Sequence, residues 1–327
     1  MIKKITAIVH FFRIYLEDSF RYSKHSSTFA RKLNNEQLCG RIAAVAHTIE
    51  KGLTLPKTRD LYGKTKIRRL LQLIEYGVGS DDLLVQHHSA VGLGVLEAYL
   101  SYHKKNNVHH SFLEETSDKI STIYTKFDKK HVCDGGVRQL NFVESVEFDH
   151  LQRSFDTLVR RRCSVRNYSS QNVSNDLIEK AVSLAARTPS VCNRQSWRVR
   201  FYKSRKAIDD ILRFHQGNIG FGSSIPNLAI ISADLSSFQG VKERNQPFVD
   251  GGLFAMTLIL SLLANGVDSC PLNWSASKNN DNSLRKYAKI KENEVVIMLV
   301  AFGYAKQDCK YAISERKNIQ FLMSYED

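Results

Sequence analysis

The chain of 327 residues is 43% hydrophobic and 24% charged, ordinary globular values that exclude wholesale disorder and a chain built mainly of membrane spans. At roughly 100 to 200 residues per domain, this length predicts two domains. Lysine and arginine outnumber aspartate and glutamate 47 to 33, a net charge of +14 that favours anionic ligands, yet no basic run is interleaved with aromatics as a nucleic-acid groove requires.

Residues Lys3 to Tyr22 place Ile5, Ile8, Val9, Phe12, Leu16 and Phe20 at three- and four-residue steps, the pattern of an amphipathic helix. Its uncharged run falls well short of the roughly 20 residues a bilayer span needs, and no small-residue cleavage site follows it. Lys3, Lys4, Arg13 and Arg21 leave contact with an anionic membrane surface open; docking of the helix onto its own domain is the favoured reading. A second helix runs from about Asn35 to Ile49 and ends near Gly52, with His47, Glu50 and Lys51 on one face. Those three read equally well as a ligand-binding set or as a salt-bridged polar helix end. A basic loop is expected from Lys57 to Arg69. Asp81 to Tyr102 reads as a mostly buried helix, in which His87 and His88 pack or meet solvent, and Ser111 to Phe127 as another. Residues 1–135 are therefore expected to form an all-α domain, ending in a break at Asp134-Gly135-Gly136, with a linker over 136–154. His47-x-x-Glu50 and Glu147-x-x-His150 share a spacing found in helical carboxylate metal sites. Such sites need two Glu-x-x-His pairs and two more glutamates, so no metal is expected.

Leu151 to Arg162 is helical in pattern and leads into Arg162-Cys163-Ser164-Val165-Arg166. In an extended segment Arg162, Ser164 and Arg166 point the same way, joining two guanidinium forks to a hydroxyl. That is a grip for a phosphate and, through a fixed cation, for a ring that becomes negative on reduction. Ser174 or Asn175 caps the next helix, whose apolar face is Leu177, Ile178, Ala181, Leu184 and Ala185, and Pro189 stops it. Beyond it, Pro189-Ser190-Val191-Cys192-Asn193-Arg194-Gln195-Ser196-Trp197 offers neutral donors and acceptors suited to an amide-like ring edge. Val199 and Phe201 alternate with Arg198, Arg200 and Tyr202 in a strand with one wet face; Asn227 to Ser232 and Glu294 to Phe302 are apolar strands. Phe248 to Ala264 is apolar nearly all round and is expected to be a helix buried on several sides. Six cysteines, Cys39, Cys133, Cys163, Cys192, Cys270 and Cys309, form no C-x-x-C pair, which favours neither zinc nor a disulfide framework and fits a reducing cytoplasm.

The order Arg162-x-Ser164-x-Arg166, then Pro189-Ser190-x-x-Asn193-x-Gln195-x-Trp197, resembles the signature of the nitroreductase-like, FMN-dependent oxidoreductases. The resemblance covers about Phe155 to Phe321. It implies an α+β fold for residues 155–327, with a central, mainly antiparallel sheet flanked by helices. It further implies FMN as cofactor, NADH or NADPH as co-substrate, and a homodimer centred on the Phe248–Ala264 helix with the flavin across the interface. FMN-binding roles pass to Arg162, Ser164, Arg166, Pro189, Ser190, Asn193, Gln195 and Asn218. They pass also to Leu272 and Asn273, in the Pro271–Trp274 loop whose backbone N–H faces flavin N5, and to Arg316 as a holder of the phosphate. Arg166, Asn273 and Trp274 are the residues assigned to catalysis, a ping-pong passage of hydride from the nicotinamide through flavin to a small organic acceptor. Two positions depart from the family pattern: Ser196 replaces a usual Pro, and Ser314 a basic residue. The helical half, with His47 to Leu53, looks like the extension on nitroreductase-like proteins of bacterial surface-polysaccharide clusters. Two alternatives keep the fold: a non-catalytic flavin-binding or structural partner in polysaccharide assembly, and a flavin-dependent dehydrogenase or oxidase of a peptide or sugar intermediate.

Overall fold

The computed structural model describes residues 2–127, 135–138 and 148–326, without the side chains of residues 2–7 and 10. The amino-terminal half contributes helices α1 (Ile2–His25), α2 (Asn35–Leu53), α3 (Lys64–Gly77), α4 (Leu83–Lys105) and α5 (Ser111–Tyr124). Helix α2 opens on a capping box in which the Asn34 side chain accepts from the Gln37 N–H while the Gln37 side chain takes the Asn34 N–H. The expected loop from Lys57 to Arg69 is loop only up to Gly63. Ile67, Leu70, Leu71 and Ile74 follow at helical spacing, and their burial outweighs the flanking charges that suggested a loop. Leu38, Ile42, Ile49, Leu70, Leu96 and Tyr99 belong to the core that α2 to α5 share. At the end of α2, Glu50 is used structurally: its Oε1 accepts from the Gly136 N–H at 3.1 Å, and His47 lies 3.9 Å from its other oxygen. A Cβ on Gly135 would come within 2.3 Å of the Val91 carbonyl oxygen, so the chain can cross α4 there only as glycine. Cys133, Asp134 and Glu147 lie outside the described residues.

The carboxy-terminal half is α+β. Its strands β1 (Trp197–Tyr202), β2 (Asn227–Asp234), β3 (Asp268–Asn273) and β4 (Glu294–Gly303) form one antiparallel sheet in the order β1-β2-β4-β3. Helices α6 (Phe148–Arg161), α7 (Asn175–Ala185), α8 (Arg205–Leu212), α9 (Gln246–Ala264) and α10 (Lys278–Ala288) surround it. Alternation along β2 separates two cores: Leu228 and Ile230 pack with α8 and α10, whereas Ala229 and Ile231 pack with α7 and α9. Pro271 to Asn273, which the resemblance places in a loop, instead end a strand that begins at Asp268. Three polar residues and Pro271 hide the signal, and the proline is tolerated because β3 is an edge strand. The wet face expected on β1 is not wet at Arg200, which forms a fork with the buried Glu294 at 2.7 Å to each oxygen. The segment containing α9 is long and apolar enough to cross a bilayer by composition, with mean hydropathy 1.7. It instead packs through Phe254, Leu258 and Leu262 beneath the sheet.

The two halves meet in close backbone contact. A Cβ on Gly40 of α2 would lie 2.7 Å from the Ser237 carbonyl oxygen, and Gln239 donates to the Gly40 carbonyl at 3.1 Å. Arg41 donates to the Ser27 carbonyl and to the Gln239 side chain.

Candidate functional site

Helix α6 ends at Arg161, and the chain then extends alongside the open edge of β3. Ser164 bridges Ser269 in parallel fashion, and the Val165 N–H donates to the Ser269 carbonyl at 3.1 Å. Anchored by the buried Val165 and Tyr168, this short segment carries the arginine cluster on its other side chains. The four arginines divide sharply. Arg160 is paired with Asp156 and Arg161 with Asp268. Among the described residues, neither Arg162 nor Arg166 has a carboxylate partner; Arg166 only leans on the Ser164 carbonyl at 3.4 Å and over the Phe221 ring at 5.9 Å. Beneath them, burial pushes the Cys270 thiol up, opposed by Arg166, the Ser164 hydroxyl and Arg162. The three motif residues thus follow one another along the edge strand, where Ser164 bridges Ser269.

The loop after α8 closes against the same edge. The Ser224 hydroxyl donates to the Arg166 carbonyl, and the Asn218 carbonyl accepts from the N–H groups of Phe221 and Gly222. His215, which sequence reasoning missed, ties this loop to the end of β3. Its Nε2 lies 2.9 Å from the Asn273 carbonyl and its Nδ1 accepts from the Gly217 N–H at 3.1 Å, which assigns the proton to Nε2. Asn218 Oδ1 lies 3.4 Å from Nδ1. The His215 ring stacks on Trp274 with 20° between planes, and the Trp274 indole N–H donates to Asp281. A pocket of about 210 Å³ opens among His215, Gly217, Asn273 and Trp274. The only hint in the sequence was the His215-x-x-Asn218 spacing. Leu272 is a core residue here, so only its backbone can serve a ligand.

The second polar cluster stands at the opposite edge of the sheet, at the entrance to β1. Its loop is built from left-handed residues: Cys192, Asn193 and Gln195 have φ of 50°, 51° and 50°. Each such non-glycine residue costs about 1–2 kcal/mol, strain of the kind that collects at functional sites. Internal bonds hold the loop in shape. The Ser190 hydroxyl accepts from the Gln195 N–H at 3.0 Å and the Ser190 carbonyl from the Asn193 N–H. From α9, the buried Asp250 accepts from the Val191 N–H at 3.3 Å, and burial holds its carboxyl above the usual range despite that bond. Arg194 is used structurally, forking onto Glu243 at 2.7 and 3.0 Å. Pro189 and Asn193 are left exposed and Gln195 half-buried.

Of the residues singled out from the sequence, Ser164, Arg166, Asn218, Asn273 and Trp274 thus come together with Arg162 along the β3 edge. Pro189, Ser190, Asn193 and Gln195 come together three strand spacings away, about 14 Å. Arg316 joins neither group. It lies in an exposed tail, its guanidinium donating to the nearby Ser314 carbonyl.

The sequence model of the Nitroreductase family matches residues 159–217, from the end of α6 through both polar clusters to the residue before Asn218. A protein of Archaeoglobus fulgidus, named as an NADH dehydrogenase/NAD(P)H nitroreductase, is 26% identical over 155 residues, 46% of this chain and 85% of its own. Among solved structures, a protein of Bacillus subtilis named as a nitroreductase is 18% identical, with a TM-score of 0.48 over 54% of this chain and 100% of its own. An FMN-dependent nitroreductase of Clostridium difficile is 18% identical, with a TM-score of 0.44 over 52% and 98%. The helices before residue 128 lie outside the family match.

Proposed function

We propose that this chain, nitroreductase-like over its carboxy-terminal half, is an FMN-dependent NAD(P)H oxidoreductase working as a homodimer, each flavin seat drawing on both copies. The observation that carries this reading is the pair Arg162 and Arg166. Their neighbours are neutralised by aspartates, while these two flank a serine hydroxyl with no anion of their own among the described residues. That donor set fits a phosphate and an electron-rich ring.

Arg162 and Ser164 would hold the phosphate, and Arg166 would place a fixed positive charge where electron gain makes the ring negative, an electrostatic contribution set before the reaction. Backbone N–H groups at Asn273 and Trp274, steadied by His215, would donate to the ring, with Asn218 beside them. When bound, the flavin supplies the two-electron chemistry, taking electrons from NADH or NADPH and passing them to a small organic acceptor. Since Ser190, Asn193 and Gln195 stand on the far sheet edge, a second copy is the source that could bring them to the same ring. Exposed Phe248, Val249, Leu253 and Met256 on α9 provide the face for that copy, with Gly252 among them opening onto empty space. The described cysteines are free thiols, which accords with a cytoplasmic setting.

The test is anaerobic titration with FMN followed by NADH or NADPH, the wild type beside Arg166→Ala. The wild type should bind flavin and bleach on adding one nicotinamide; the variant should bind about tenfold more weakly and bleach about 100-fold more slowly. A variant that binds and reduces flavin like the wild type would overturn the role of Arg166, and a wild type that ignores FMN would overturn the enzyme.

A further inference from the structure

Helix α1 is oriented contrary to an ordinary amphipathic surface helix. Three of its described charged residues pair with its own molecule: Glu17 with Lys278 at 2.6 Å, Arg21 with Asp281 at 3.5 Å and Lys24 with Glu292 at 2.8 Å. Among its described residues only Tyr22, in the last turn, is buried, its hydroxyl donating to the Gly240 carbonyl. The apolar docking expected for the helix is confined to this end, because the apolar side chains described from Ile8 to Phe20 are left exposed. Between Ile8 and Leu16 only His10 and Arg13 interrupt the apolar residues. At 100° per residue, the exposed ones wrap about 220° of the helix circumference.

We propose that α1 is a clasp that lies across a second copy of this chain, extending the dimer face centred on α9; the proposal rests on the dimer of the preceding section. Three observations favour a second copy over a lipid surface. A helix lying on a membrane keeps a broad, strongly polar face in water, and an apolar arc of about three-fifths of the circumference, with the remaining polar face ion-paired to its own domain, leaves too little. Grooves of about 1020 Å³ and 420 Å³ run along the two flanks of α1, the first lined by Ile8, Phe12 and Leu16, the second by Tyr15 and Tyr22. Side chains of a folded partner can fill such grooves; a flat surface cannot. The second groove is also lined by Phe248, the first residue of the exposed stripe on α9, so clasp and stripe form one continuous apolar surface.

The area is sufficient. Phe11, Phe12, Tyr15 and Phe20 are 53–70% exposed and at about 200 Å² each offer about 480 Å². The four aliphatic residues of the same helix bring this near roughly 800 Å², what each partner contributes to a stable interface. Because the two polar clusters occupy opposite sheet edges, a clasp that holds the dimer together also holds each flavin seat together.

The experiment uses the full chain carrying Phe12→Asp with Leu16→Asp, both on the undocked part of α1. Sedimentation velocity is run from nanomolar to micromolar protein, and FMN binding is measured over the same range. Far-ultraviolet circular dichroism and the unfolding midpoint, expected unchanged, establish that the variant is folded. The expected result is a dimer dissociation constant raised about 100-fold, with FMN binding that weakens on dilution and recovers on concentration. An unchanged dissociation constant, or a wild type that is monomeric throughout, would overturn the clasp. So would a wild type that co-sediments with phosphatidylcholine–phosphatidylserine vesicles while the variant dimerises normally and does not. If neither protein takes up FMN at any concentration but the dissociation constant still shifts, the flavin reading fails and the clasp stands.

Discussion

At the scale of single residues, the site depends on which polar groups are already satisfied. Asp250 is the clearest case: fully buried in α9, it accepts from the Val191 N–H and from Gln246 and so pins the strained loop that presents Asn193 and Gln195. Replacing it with alanine leaves that N–H without its acceptor and should destabilise the fold by about 1–3 kcal/mol, read from denaturant unfolding, with weaker FMN binding as a second consequence. Should Asp250→Ala unfold like the wild type and bind FMN equally well, the loop holds its shape unaided. His215 plays the corresponding part on the other edge, joining the Asn218 loop to Asn273.

At the scale of elements, one buried contact ties strands of the sheet to each other and another seats the helical half against the sheet half. Glu294, at the start of β4, is 3% exposed and bonded by Arg200 and the Ser232 hydroxyl. Burial raises its carboxyl, but those bonds prevail and hold it below the usual carboxylate range. A depressed folded value means the unfolded chain binds the proton more readily. The stabilisation is therefore complete above the ordinary glutamate value, about 4.3, and is lost as pH falls through the lower folded value. Glu294→Ala, which strands Arg200, should cost about 3 kcal/mol near neutral pH and flatten the acid limb of unfolding midpoint against pH. A variant with the same acid limb would show that other carboxylates set it. Between the halves, Gly40→Ala forces a methyl group against the Ser237 backbone and should cost about 1–3 kcal/mol, seen as a lower unfolding midpoint. An unchanged midpoint would mean that the contact yields freely.

At the scale of the whole molecule, the position of the two polar clusters makes a prediction that does not depend on which acceptor is reduced. In the proposed homodimer, Arg166→Ala and Asn193→Ala should each impair every seat when present in both copies. Co-expressed in equal amounts, they should restore about a quarter of the wild-type seats, since half of the dimers are mixed and each mixed dimer has one intact seat. If both residues served a seat within one chain, mixing would restore nothing, and titration of reducible flavin distinguishes the two.

Much of this architecture was legible in the residues themselves. Helical periodicity announced α2, α4, α5 and α7, and unbroken apolar runs announced β2, α9 and β4, because burial leaves its period in the chain. The spacing Arg162-x-Ser164-x-Arg166 and the Ser190–Gln195 run also stand out, being polar where a neighbouring core would call for apolar side chains. What a linear pattern does not contain is pairing across space. That Arg160 and Arg161 are neutralised while Arg162 and Arg166 are not depends on Asp156 one helical turn away and Asp268 on a distant strand. Edge strand β3 was concealed by its proline, His215 acquired its position only when the loop after α8 met the end of β3, and α1 proved to turn its apolar side outward. Local chemistry determined which residues could grip an anion and which could read a neutral ring edge; the strand order, a long-range property, decided that the two sets stand on opposite edges of one sheet.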